Sequence, residues 1–180
     1  EVLELPTISI APHRAEELPE QGAALEELEN YQYLVFTSPS GVDCFFALLR
    51  EKKMDIRRFC AGKIAVIGAG TASRLQNYGL MADLMPEIYD AVHLGKCVGA
   101  DCKDGDRILI PRARLGSQAL IEEIMAQKKV TIADLPIYDT IEKESPVVEL
   151  PDLTKEEAMR HRQKEALISF LGIGNVKLMD

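Results

Sequence analysis

A chain of 180 residues, 47% apolar and 28% charged, has the makeup of a soluble globular protein, either one domain with an appendage or one slightly long domain. At that length it buries roughly 70% of its unfolded surface and needs neither disulfides nor metal to hold a core. Its net charge of −8 is the wrong sign for a nucleic-acid binder, although a local cluster of opposite sign still admits an anionic ligand.

Leu5 to Ile10 is β-branched and weakly alternating, a predicted strand, and Ala23 to Glu29 reads as a short acidic helix. Tyr33 to Phe36 is an apolar run too short for a helix and bounded by turn residues, hence a buried strand. A helix follows over Val42 to Arg50, offering Phe45, Phe46, Leu48 and Leu49 to the sheet. Lys63 to Ile67 is a second strand, Thr71 to Tyr78 a helix stopped by Gly79, and Ala82 to Met85 a short strand ended by Pro86. Asp90 to Val98 is predicted helical, Arg107 to Ile110 a strand, Ser117 to Gln127 a helix, and Val130 to Tyr138 the last strand. Strands and helices alternating at this spacing imply βαβ units. The expected fold is a three-layer α/β sandwich, with a parallel sheet of about five strands in flavodoxin-like order.

Residues 1–140 form the expected α/β domain, and residues 141–180 a linker and helical tail. Glu142 to Pro146 is polar and Pro-containing. Thr154 and Glu157 make a capping box for a helix to about Leu171, and Gly172 suits its end. Neither an apolar run of 18 residues nor a leader-like segment is present, so a membrane span and export are not expected and the predicted compartment is the cytoplasm. Cys44, Cys60, Cys97 and Cys102 lack the paired spacing of structural zinc, and no metal site is expected.

Four segments following the strands carry the chemistry, because loops beyond the carboxyl ends of parallel strands share one rim. Thr37-Ser38-Pro39-Ser40-Gly41 brings hydroxyls and backbone N–H groups to a helix start, which suits an anion, or simply caps the helix. Gly68-Ala69-Gly70-Thr71 joins a strand to a helix. It has the look of a dinucleotide-binding turn, with Glu87 near the distance for a ribose-binding acid, but Ser73 stands in place of the third glycine. Arg112 and Arg114 just past a strand end are candidates to clamp a carboxylate, and Tyr138 brings a phenol to the last strand end. His13, His93 and His161 share no motif.

Taken in order, these segments resemble the uroporphyrinogen-III synthase family. Its pattern is matched by Phe36 to Val42, Gly68 to Ala72, Gly79-Leu80, Pro86-Glu87, Ile108 to Arg112 and Ile137-Tyr138, preceded by Leu5-Pro6-Thr7-Ile8. The family has two flavodoxin-like domains facing each other across a cleft, and this sequence supplies one of them, so a partial chain is expected. The resemblance implies a lyase that converts the linear tetrapyrrole hydroxymethylbilane to uroporphyrinogen III. The terminal hydroxyl leaves as water and ring D is inverted through a spiro intermediate, without cofactor or metal. It further implies Tyr138 and Thr71 as catalytic residues. Thr37, Ser38, Ser40, Gly41, Gly70, Ala72 and Arg112 become substrate-binding residues, with backbone N–H groups at Ser38 to Gly41 and Gly70 to Ala72 holding carboxylates. No nucleic-acid or membrane partner is implied, and the oligomeric state stays open, a monomer being compatible. Two alternatives remain: a nucleotide- or flavin-binding module using Gly68 to Thr71, and a non-catalytic domain docking a partner through the tail helix.

Overall fold

The computed structural model describes residues 8–13, 19–59 and 61–142. The chain divides into a unit spanning Ile10–Thr140 and a second made of Glu1–Ser9 with Ile141–Asp180. The tail helix expected over Thr154 to Leu171 and the linker before it lie outside the described residues.

The elements are β1 (Ile8–Pro12), α1 (Pro19–Glu26), β2 (Tyr33–Phe36), α2 (Pro39–Glu51), β3 (Lys63–Val66), α3 (Ala69–Gln76), α4 (Ala91–Asp101), β4 (Arg107–Ala113), α5 (Ala119–Gln127) and β5 (Thr131–Glu142). Short 3₁₀ turns occupy Leu28–Asn30 and Ile56–Phe59. The five strands lie in the order β1-β5-β4-β2-β3. Tyr33 to Phe36 runs parallel to Lys63 to Val66 on one side, while Tyr33 and Leu34 pair with Ile108 and Leu109 on the other. β5 runs parallel to β4. The expected strand at Ala82 to Met85 contracts to a single parallel bridge between Leu84 and Ala65. Asp83 explains the shortening: its carboxylate accepts the Ile64 N–H at 2.7 Å, so a side chain replaces the next rung of the ladder.

β2 is buried on both faces, as strands of a parallel sheet are. Leu34 and Phe36 enter a core with Phe45, Leu48 and Leu49 of α2 and Leu75 of α3. Tyr33 and Val35 enter a second core with Leu94 and Val98 of α4 and Leu120 and Ile124 of α5. Alternation along a strand sends neighbours to opposite faces, so four consecutive residues feed two cores. The helix starts have local causes. Ser38 caps α2, with Pro39 in its first turn, and so begins the helix three residues before Val42. Asp90 caps α4 by accepting the His93 N–H.

Helices α4 and α5 touch through glycines. A Cβ on Gly95 would lie 2.9 Å from the Leu120 carbonyl oxygen and 2.6 Å from Glu123 Cβ, whereas one on Gly99 would meet only the movable end of Gln127. Gly95→Ala is therefore expected to cost about 1–3 kcal/mol in urea unfolding, and Gly99→Ala under about 1 kcal/mol. Equal effects would show that these helices move apart freely.

Candidate active site

In an open α/β sheet, ligands bind beyond the carboxyl ends of the strands where successive connections diverge. Here β2 is flanked by β3 on one side and β4 on the other, so the divergence falls between β2 and β4. Gly41 stands at this point. A Cβ there would lie 3.2 Å from the Pro111 carbonyl oxygen of β4, 3.2 Å from Ser38 Oγ and 3.9 Å from Tyr138 Cε1. Glycine lets three chain segments close on one spot.

Ser38 is extended (φ −163°, ψ 156°), and its Oγ accepts the Gly41 N–H at 2.9 Å. The same Oγ lies 2.8 Å from the Tyr138 hydroxyl. Two hydroxyls carry two protons and their mutual hydrogen bond uses one. Whichever oxygen donates, the other proton is left for a third group. A β-bulge makes this contact possible. Register shifts between Arg112, opposite Pro136, and Ala113, opposite Tyr138. Ile137 and Tyr138 are consecutive yet both belong to the α2 core, which regular alternation forbids. Tyr138 is also held through its backbone, its carbonyl accepting the Arg114 N–H at 3.0 Å.

Beside this pair, α3 opens from β3. Thr71 is 2% exposed, and its hydroxyl has no side-chain hydrogen bond among the described residues. Gly70 faces open space. The backbone donors are fewer than the sequence led one to expect. Gly41 donates to Ser38 Oγ, and Thr71 and Ala72 both donate to the Gly68 carbonyl. Among the described residues this leaves the N–H groups of Ser38, Ser40 and Gly70 without an acceptor, and Ala72 packs against the α2 core. Thr37 and Ser40 are half-buried at the same turn.

Arg112 departs most from expectation. It lies within β4, not past its end, and is 2% exposed. Its position alternates with Ile108 and Ile110, placing it on the α4–α5 face, opposite Tyr138. Its Nε and one terminal nitrogen bind the two carboxylate oxygens of Asp134, each at 2.6 Å, and the other terminal nitrogen donates to the Ser117 carbonyl. Gly116 rests against the guanidinium. Arg112 anchors the loop after β4 and is no free clamp for a ligand. Asp134→Ala, which strands a buried cation, is expected to lower stability by about 2 kcal/mol in urea unfolding. A change under about 0.5 kcal/mol would contradict that anchoring role.

The sequence offered no motif for a charged group next to Tyr138. His13, its side chain 7% exposed, contacts Asp139 at 2.8 Å and the Pro136 carbonyl at 3.3 Å. Arg114 donates to the other Asp139 oxygen at 3.0 Å. Bonds from His13 first, then Arg114, hold the Asp139 carboxyl below its ordinary 3.8. A carboxyl lowered by folding adds stability above its unfolded pKa, and that stability is lost as pH falls through the folded value. Asp139→Asn is thus expected to be less stable than wild type at neutral pH, with the gap closing below pH 3.8 in pH-dependent denaturation. A gap independent of pH would refute this.

Among the described residues, no group of three or more His, Cys, Asp or Glu is placed to hold a metal ion, and no helix is long and apolar enough to cross a membrane. A sheet with parallel β2, β3, β4 and β5, gathering hydroxyl and amide donors at one rim, is an open α/β domain of the kind that places its ligands beyond the strand ends. The family model described as uroporphyrinogen-III synthase HemD matches residues 1–169, and the chain belongs to that family. The porphyrin biosynthesis protein HemD of Ruminiclostridium josui is 29% identical over 143 residues, covering 78% of this chain and 27% of that protein. Uroporphyrinogen-III synthase of Chlorobaculum parvum is 26% identical over 137 residues, covering 76% of this chain and 52% of its own length. The chain thus spans about half or less of these curated relatives. A mutant uroporphyrinogen III synthase from the extremely thermophilic bacterium Thermus thermophilus shares the fold, with a TM-score of 0.59 at 16% identity, over 78% of this chain and 54% of that one.

Proposed function

We propose that this chain forms one wall of the cleft of a uroporphyrinogen-III synthase, a cytoplasmic hydro-lyase acting on hydroxymethylbilane. The Ser38–Tyr138 hydroxyl pair is the observation that carries the reading, because it keeps one proton available at a fixed point on the rim. On this reading the spare proton goes to the departing hydroxyl of the substrate, which leaves as water. Thr71, buried and without a side-chain partner among the described residues, donates to the same end of the chain. Carboxylates of the substrate meet the N–H groups of Ser40 and Gly70, at the starts of α2 and α3 where helix dipoles favour negative charge. Thr37 lines the same turn, and Gly41 serves by its lack of a side chain. The unassisted substrate closes without inverting ring D, so the enzyme's task is to hold a flexible chain in one shape. Two helix-backed cores on the faces of β2 support the three-layer, flavodoxin-like description. The nucleotide-binding alternative has less support, since the Tyr89 ring lies against Gly68 and Glu87 is solvent-exposed.

The test is a coupled assay in which hydroxymethylbilane is generated in place and the oxidised products are separated into isomers I and III. Enrichment of isomer III is expected, and Tyr138→Phe is expected to lower its rate of formation about tenfold or more while leaving the unfolding free energy from urea denaturation within about 1 kcal/mol. Isomer I alone, even with the complementary domain supplied, would overturn the proposal.

A further inference from the structure

The segment between β3 and α4 carries a residue that the site above leaves unused. The root of the Tyr89 side chain lies against Gly68: a Cβ at position 68 would fall 2.7 Å from Tyr89 Cγ, 2.8 Å from Cδ2 and 3.1 Å from Cβ. Gly68 has φ 178°, an extended backbone open to any residue, so glycine is required there for space and not for conformation. The sequence pattern that resembles a phosphate turn is, in the fold, a seat for an aromatic ring.

That ring sits on a braced loop. Pro86 is buried, and at the other end Asp90 caps α4 and donates its own N–H to the Ile88 carbonyl at 3.0 Å. Between these fixed points Ile88 and Tyr89 are each 55% exposed. No hydrogen-bond partner for the Tyr89 hydroxyl exists among the described residues. This exposed aromatic side chain stands at the carboxyl end of β3, on the rim where an open α/β sheet binds its ligands. Tyr138 cannot offer a comparable surface, because it is 4% exposed and belongs to the core.

We propose that Tyr89 is a substrate contact whose exposed ring takes one pyrrole of the tetrapyrrole. This rests on the synthase reading and deepens it. Hydroxyls and N–H groups fix the carboxylates and the leaving group, but they do not choose which flat face of the chain lies on the wall. An aromatic surface does, because offset stacking of two rings is directional and worth more than its buried area. Tyr89 thereby narrows the shapes the flexible substrate adopts before it closes.

The probe is uroporphyrinogen III, kept reduced under anaerobic conditions, titrated into the full chain by calorimetry. Stacking of this strength corresponds to about a three- to tenfold loss of affinity in Tyr89→Ala and in the similarly bulky but non-aromatic Tyr89→Leu. Tyr89→Phe is expected within about twofold of wild type, since it keeps the ring face. Gly68→Ala, which displaces the ring without removing it, is expected to lose affinity like Tyr89→Ala. Wild-type binding that survives unchanged in Tyr89→Ala, or equally in Tyr89→Leu, overturns the proposal and leaves the synthase reading standing. A wild-type chain that binds no uroporphyrinogen III even with the complementary domain supplied removes the tetrapyrrole reading itself, and Tyr89's role falls with it.

Discussion

Ser38 and Tyr138 are separated by a hundred positions, and the hydrogen bond between their hydroxyls holds only because several backbone features coincide. Gly41 must lack a side chain for the start of α2 to approach Pro111 of β4. β5 must carry its extra residue at the Arg112–Ala113 step so that Tyr138 turns onto the same face as Ile137. The strand must then be held after the bulge, where the ladder is weakened. Two backbone donors do this, Arg114 to the Tyr138 carbonyl and His13 to the Ile137 carbonyl at 2.9 Å. Tyr138 thus reaches the rim through a local violation of strand alternation, a use of bulges common beside active sites.

Charge is handled differently from hydroxyls in this domain. Arg112 is matched to Asp134, and Arg114 and His13 share Asp139. At the opposite end of the sheet, Lys63 and the Tyr33 hydroxyl both bind Asp101, which holds that carboxyl below its ordinary range. The Tyr33 phenol is pushed upward, by burial first and then by its bond to Asp101. These side chains fix the framework, and their charges are balanced by close partners. What the rim leaves uncommitted is neutral, and includes one proton of the Ser38–Tyr138 pair, the hydroxyls of Thr37, Ser40 and Thr71, and the amide hydrogens of Ser38, Ser40 and Gly70. Neutral donors aimed at fixed points suit a reaction controlled by orientation better than one driven by a strong acid.

Much of this architecture was legible because it rests on local rules. The apolar run Tyr33 to Phe36 gave β2 with its observed ends, and the order of turns and strands led to the Ser38, Thr71 and Tyr138 segments meeting at one rim. The errors cluster where a tertiary contact overrides a local rule. Pro111 and Arg112 read as a loop, since proline seldom sits inside a sheet, yet β4 continues through both to Ala113. Arg112 was expected in a cleft because positive charge just past a strand end suits a carboxylate. Its burial depends on Asp134, a residue 22 positions away with no pattern linking the two. His13 was passed over for the same reason: its partner Asp139 lies 126 positions along the chain. The bulge left no mark in the sequence, since Leu135, Ile137 and Tyr138 read as an ordinary strand.

The glycine pattern at Gly68 shows why a motif needs its neighbours before it acquires a meaning. Gly-x-Gly at a strand-to-helix turn allows two backbones, or a backbone and a phosphate, to approach closely. In this fold Gly68 uses its missing side chain on Tyr89, while Gly70 keeps its side open. One glycine is therefore filled from within the protein and the other is left facing outward, an asymmetry the letters alone do not contain. A rim built this way presents an aromatic surface and a hydrogen-bond donor side by side. That combination matches a ligand made of flat rings fringed with carboxylates better than it matches a pyrophosphate, which would need both glycines clear.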